Sequence, residues 1–150
     1  MDKLIYTWED YTADMKIIQK KIETIDRPHL VSLYRGSLPM GVHLSNVMKL
    51  PLSIIDLQTR DGNGGDPKII KNAGIDATCT LVILDDIYDK GLTMNKAKEM
   101  LHRERPYAKI VGITLHNNSE MAHLHKRYDN WVFSLNDSKG KWVSYPWEVL

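Results

Sequence analysis

Leu81-Val82-Ile83-Leu84-Asp85-Asp86-Ile87-Tyr88-Asp89-Lys90-Gly91-Leu92-Thr93 is the stretch whose reading decides the fold. An apolar run ends abruptly in two adjacent acids. A third acid, a Gly/Thr turn and a helix-like segment follow. Four consecutive apolar residues bounded in this way suit a strand buried on both faces. Such a strand delivers carboxylates to its C-terminal end, where they can accept hydrogen bonds from sugar hydroxyls. The turn and the first unpaired amides of the helix can hold a phosphate. Together these groups suit a ligand that joins a phosphate to a polyol.

Working outward, helical and strand-like segments alternate. Thr7 can cap a helix, with Asp10 in a weak form of the capping box, and Tyr11, Met15, Ile18 and Ile22 recur at helical spacing. The spacing predicts a helix over about 8–25, ended by Pro28. His29–Tyr34 reads as a strand, Arg35-Gly36-Ser37 as a tight turn, and Met40–Met48 as a helix entered through Pro39. Leu52–Leu57 reads as another strand, and Lys68–Lys71 as a short one. Gln58–Asp66, with three glycines and almost no apolar side chain, has the composition of a mobile loop. Thr80–Leu84 is the buried strand, Leu92–Glu104 the helix after it, Lys109–Leu115 a strand, and Trp131–Leu135 the last strand. The alternation predicts an α/β fold, a mostly parallel sheet flanked by helices. Ligands in such sheets bind beyond the carboxyl ends of the strands, which sets Arg35-Gly36, Asp85–Thr93 and His116 on one rim.

Bulk properties narrow the classes. The chain has 150 residues, the size of one domain, and at that length about 70% of the unfolded surface is buried without staples. We expect a single domain over 1–150. The net charge of +1 lacks the basic excess of a dedicated nucleic-acid binder. A single cysteine, Cys79, excludes an intrachain disulfide and suits a reducing compartment. No apolar run approaches the roughly 18 residues of a membrane span, and the N-terminus lacks the apolar stretch of a signal peptide. The expectation is a cytoplasmic protein without nucleic-acid or membrane partners.

The 81–93 stretch resembles the ribose-phosphate signature of the type I phosphoribosyltransferases. Two further segments extend the likeness. Tyr34-Arg35-Gly36-Ser37 is an apolar strand running into Arg-Gly, about fifty residues before the acids, as in that family's pyrophosphate loop. Lys141-Trp142-Val143-Ser144-Tyr145-Pro146-Trp147-Glu148 is similar to the Trp-x-x-x-Pro-Trp-Asp/Glu segment of the bacterial xanthine-guanine enzymes, and Tyr6-Thr7-Trp8-Glu9 resembles their Val-Thr-Trp-Asp opening.

The resemblance implies transfer of a phosphoribosyl group from 5-phosphoribosyl 1-diphosphate (PRPP) to a purine base, with 6-oxopurines favoured. It implies Mg²⁺ and the ribose hydroxyls on Asp85 and Asp86, and the 5′-phosphate on Asp89, Lys90, Gly91, Leu92 and Thr93. Asp89 would also be the catalytic proton acceptor beside the imidazole ring of the base. Pyrophosphate would lie on Arg35, Gly36, Ser37 and Lys71 or Lys68, and the base on His116, Trp142 and Val143. His116 stands where relatives carry a lysine that donates to the exocyclic oxygen. Lys90 replaces the usual threonine, and Gln58-Thr59 replaces the Ser-Tyr pair that many relatives carry at the start of a lid near 58–67. Relatives form dimers or tetramers, so a homo-oligomer is expected. A non-catalytic nucleotide- or PRPP-binding regulator, and an enzyme for another base, are the alternatives.

Overall fold

A computed structural model describes residues 2–57, 68–71, 74–76, 78–124 and 130–149. The lid assigned to 58–67 lies outside the described residues.

The chain runs β1 (Lys3–Ile5), α1 (Trp8–Glu23), β2 (Pro28–Tyr34), α2 (Leu38–Met48), β3 (Leu52–Asp56), β4 (Lys68–Lys71), β5 (Thr80–Tyr88), α3 (Leu92–Glu104), β6 (Lys109–Asn117), α4 (Ser119–Leu124), β7 (Val132–Asp137) and β8 (Trp142–Ser144). Six strands form one sheet in the order β4-β3-β2-β5-β6-β7. Five are parallel, and β4 joins the edge antiparallel to β3. The fold is the α/β architecture expected from the sequence, a mostly parallel sheet flanked by helices.

The sheet is covered on both faces. On β5, Val82 and Leu84 pack with Met15, Ile18 and Ile22 of α1 and with Met40 and Leu44 of α2. Leu81 and Ile83 point the other way, against Met94, Ala97, Met100 and Leu101 of α3. Burial on both faces is why 81–84 reads as an unbroken apolar run. Each such side chain contributes roughly 1.5–3 kcal/mol of burial. At the start of α1 the capping box is complete: Thr7 Oγ1 accepts from the Asp10 amide at 3.1 Å, and Asp10 Oδ2 accepts from the Thr7 amide at 2.9 Å.

The sequence reading is corrected at the chain ends. β1 and β8 pair parallel, Leu4 opposite Val143, in a separate two-stranded ribbon. Three residues are too few to display a period of two, so neither strand is visible as a pattern. The principal strands β5 and β6 also continue past their apolar runs, to Tyr88 and Asn117. No described helix is long and apolar enough to cross a membrane.

Candidate active site

From β2 the chain crosses to β3 on one side, whereas β5 crosses to β6 on the other. The crevice beyond the carboxyl ends of β2 and β5 is therefore the topological switch point of the sheet, where open α/β sheets bind ligands. A cavity of about 490 Å³ opens there, within the usual range for small-molecule sites. It is lined by the turn after β2 (Tyr34, Arg35, Gly36), the end of β3 (Asp56, Leu57), and the loop from β5 into α3 (Asp85, Asp86, Asp89, Lys90, Gly91, Thr93).

Two carboxylates stand at the floor. Asp85 and Asp86 are 8% and 6% exposed. Asp85 Oδ1 accepts from the Asp86 amide at 2.9 Å, and Asp86 Oδ1 accepts from the Ile87 amide at 2.8 Å, so backbone donors orient both groups. Gly36 faces them across the crevice. A Cβ at 36 would lie 2.7 Å from Asp86 Cγ, so only glycine lets the β2 turn approach this closely. The Tyr34–Arg35 peptide is cis. Ser37 ties the turn shut: its amide donates to the Leu33 carbonyl at 3.3 Å and its Oγ accepts from the Leu33 amide at 2.8 Å.

The anion end is the start of α3. Gly91 caps it with φ +77°, a left-handed conformation that glycine adopts without strain. By helix geometry the following amides have no partner within the helix and point at whatever lies in the crevice. Lys90 is exposed at the same rim. Arg35, also exposed, supplies a second cation from the opposite turn.

Asp89 has a fixed neighbour. Asn118, just past β6, donates from Nδ2 to Asp89 Oδ1 at 3.1 Å. Its own Oδ1 accepts from the amides of Met121 (3.3 Å) and Gly140 (3.1 Å).

His116 and Tyr145 lie beneath the floor. The Tyr145 hydroxyl donates to the Asp86 carbonyl at 3.0 Å and lies 2.9 Å from His116 Nδ1. A carbonyl only accepts, so the one phenolic proton goes to Asp86, and Nδ1–H of a neutral imidazole donates to the Tyr145 oxygen. Burial, reinforced by the charges of Asp86 and Asp85, pushes the Tyr145 phenol up and keeps it a donor. Burial likewise lowers His116, against the opposing pull of Asp14, Asp86 and Asp10.

Of the residues singled out in the sequence, the cavity brings together Arg35, Gly36, Asp85, Asp86, Asp89, Lys90, Gly91 and Thr93. Ser37 is fully buried with its amide committed to Leu33, so it shapes the turn and offers no donor to the crevice. Leu92 is 60% exposed as the first residue of α3. Lys71 ends the edge strand β4, opposite Ile54. Val143 is buried in the core against Leu4, while Trp142 keeps an open face, 60% exposed. His116, expected on the base, is 2% exposed, with its ring packed edge-on against Tyr6 and Tyr145. The strand outlasts its apolar run by two residues, so the polar group that reaches Asp89 is Asn118. Asp56, which also lines the cavity, was missed. Asp56 had a signal, since it ends a parallel strand beside Tyr34.

Residues 8–149 match the family described as phosphoribosyl transferase domain. A purine phosphoribosyltransferase from Pyrococcus horikoshii superposes with a TM-score of 0.78 at 23% identity, over 100% of this chain and 96% of that one. The xanthine-guanine-hypoxanthine phosphoribosyltransferase of Helicobacter pylori gives 0.78 at 21% identity, over 99% and 95%. An adenine phosphoribosyltransferase from Thermoanaerobacter pseudethanolicus gives 0.66 at 14% identity, over 86% and 80%. No curated protein matches the chain significantly. With a family match spanning nearly its whole length, the chain belongs to the phosphoribosyltransferase family.

Proposed function

We propose that the protein transfers the 5-phosphoribosyl group of PRPP to a purine base, 6-oxopurines preferred, and releases pyrophosphate. The observation that carries this reading is the Asp85-Asp86 pair at the end of β5, set against Gly36 across one cavity and flanked by the N-terminus of α3.

The chemistry follows from the groups present. Bond breaking at C1′ leaves cation-like character on the sugar and sends off a polyanion. The α3 amides and the Thr93 hydroxyl hold the 5′-phosphate, with Lys90 adding positive charge at the rim. Arg35 and the Gly36 backbone receive the pyrophosphate. Asp85 and Asp86 accept hydrogen bonds from the ribose hydroxyls and fix C1′ for in-line displacement. Asp89 takes the proton that the imidazole ring of the base loses on bonding to C1′.

The carboxylate pair also fits Mg²⁺. Both donors are hard oxygens, and no cluster of three or more His, Cys, Asp or Glu side chains gathers among the described residues. A pair of carboxylates suits a cation that takes few protein ligands and keeps water and substrate oxygens. Asp85 and Asp86 would hold it, and when bound it supplies positive charge to the leaving diphosphate.

Preference for 6-oxopurines rests on the C-terminal Trp-x-x-x-Pro-Trp-Glu segment. The similar structures include adenine and orotate enzymes, so shared architecture does not select the base. A panel of guanine, xanthine, hypoxanthine, adenine and orotate, each with PRPP and Mg²⁺, tests the reading. Nucleotide formation from a 6-oxopurine supports it. Turnover restricted to orotate or adenine would overturn the base assignment.

A further inference from the structure

Asp86 sits where the sheet stops holding the chain. The β2–β5 pairing ends at Ser32–Leu84, and the β5–β6 pairing couples Asp85 to Thr114 and Ile87 to His116 but passes over Asp86 between them. Side chains take over there. The Asp86 amide donates to Asp85 Oδ1 at 2.9 Å, and the Ile87 amide donates to Asp86 Oδ1 at 2.8 Å. The Asp86 carbonyl accepts at 3.0 Å from the hydroxyl of Tyr145, 59 positions away and just past the end of β8. Tyr145 is itself held from several directions. It is buried, its ring stacks on Trp147 with 4.9 Å between centroids and 9° between planes, and Tyr6 packs edge-on against it at 5.6 Å. His116 Nδ1–H occupies the phenolic oxygen from 2.9 Å, so the one phenolic proton is directed at Asp86.

Resting on the assignment of Asp86 to the ribose and its cation, we propose that Tyr145 is a positioning residue for the phosphoribosyl end of the reaction. The Asp86 carbonyl and the Ile87 N–H belong to one peptide unit, and that unit is planar. Tyr145 grips the plane by its carbonyl, and the N–H on the opposite side of the same plane grips the Asp86 carboxylate. One rigid plane therefore connects the phenol to the carboxylate. Without the hydroxyl the plane can tilt, and the carboxylate tilts with it. Tyr145 lies beneath the cavity and acts on the substrate through Asp86.

A merely structural role leaves a different kinetic trace. Tyr145 ends the segment that carries Trp142, so a segment that only comes loose raises KM for the base and leaves PRPP affinity untouched. The experiment compares wild type, Tyr145→Phe and Tyr6→Phe, all well below their melting temperatures. Calorimetry gives the dissociation constant of PRPP with Mg²⁺ and no base, and initial rates with hypoxanthine give kcat and both KM values. Tyr6→Phe is the control: it deletes a buried hydroxyl of the same aromatic cluster, but one that donates to Asp14. In Tyr145→Phe, kcat/KM for PRPP should fall about tenfold, short of the roughly 10²-fold loss that follows a misplacement of about 1 Å. PRPP should bind several-fold more weakly, with KM for hypoxanthine within twofold of wild type. Tyr6→Phe should lower the melting temperature and leave the PRPP constants as they are. PRPP constants within twofold of wild type in Tyr145→Phe overturn the proposal, as does an equal loss in Tyr6→Phe. Where Tyr145→Phe does not fold, wild-type protein isotope-labelled at tyrosine Cζ serves. PRPP and Mg²⁺ without base should then shift the Tyr145 resonance, and a Tyr145 signal that moves no more than that of Tyr6 overturns the proposal. A wild type that binds PRPP but turns over no base overturns the underlying function alone, and the dissociation constants still decide the inference. A wild type that does not bind PRPP overturns both.

Discussion

Gly36→Ala is the sharpest perturbation of the site. The added Cβ would overlap Asp86 Oδ2 and sit 2.7 Å from Asp86 Cγ, and ordinary contact begins at 3.4 Å, so one side must yield by at least about 0.7 Å. Neither side is free to do so cheaply. Asp86 is held by the Ile87 amide at 2.8 Å and, through its carbonyl, by Tyr145 at 3.0 Å. The turn is held by Ser37 on Leu33 and by the Leu38 amide on the Arg35 carbonyl at 3.1 Å. A misplacement of about 1 Å in a catalytic site costs on the order of 10²-fold in rate. We therefore expect kcat/KM for PRPP to fall about 30- to 100-fold, equivalent to about 2–3 kcal/mol of lost transition-state stabilisation. Stability should change far less. Among the described residues the positive-φ glycines are Gly74, Gly91 and Gly140, so the backbone at 36 accepts alanine. Replacing a compatible glycine stabilises by about 0.4–1 kcal/mol through the unfolded chain, which offsets part of the clash. Steady-state kinetics with PRPP varied, beside a calorimetric melt, separates the two effects. A variant with kcat/KM within threefold of wild type would refute the close approach of turn and carboxylate as a requirement of the site.

Asp89→Asn preserves shape and removes the proton acceptor, so kcat should drop about 10²-fold with the melting temperature held; a change of only a few-fold would make Asp89 a capping acid. Tyr145→Phe strands the Asp86 carbonyl and the His116 Nδ1–H, each costing about 1–3 kcal/mol when buried and unpaired, and should lower the melting temperature by on the order of 10 °C. Stability should also fall on acidification before the carboxylates titrate. Burial holds His29 and His116 below their ordinary value of 6.5 in the folded chain, so the unfolded chain takes up protons first as the pH drops. Their contribution is complete above about pH 6.5 and is lost below it, at up to about 1.4 kcal/mol per pH unit for each histidine. Denaturant melts from about pH 7 to 5.5 on wild type and His116→Asn measure this, and equal slopes would contradict it.

What the sequence made legible was local. The Asp85–Thr93 stretch carries strand, acids, turn and helix start within one contiguous segment, so each feature announces the next. Arg35-Gly36 was legible for the same reason, as a turn directly after an apolar strand. Features that depend on distant partners were hidden. The β1–β8 ribbon joins Lys3 to Trp142, and three residues at each end of a chain show no periodicity. Ser37 looked like an amide donor for pyrophosphate because nothing in its neighbours reveals the bond to Leu33. The burial of His116 has a similar origin. An apolar run marks where a strand is buried, not where its hydrogen bonding stops, and β6 continues through the polar pair His116-Asn117. Asn118 itself gains meaning only from Met121, Gly140 and Asp89, which three separate elements supply.

The central claim is group transfer at this cavity, and the most direct measurement is the stoichiometry of one reaction. PRPP, Mg²⁺ and hypoxanthine are incubated with the wild-type protein, and nucleotide and pyrophosphate are quantified together. Equal amounts of both products are expected, formed only when the base is present, with loss of both in Asp85→Asn and Asp86→Asn. Pyrophosphate without nucleotide, or neither product with hypoxanthine or any other base, would contradict it.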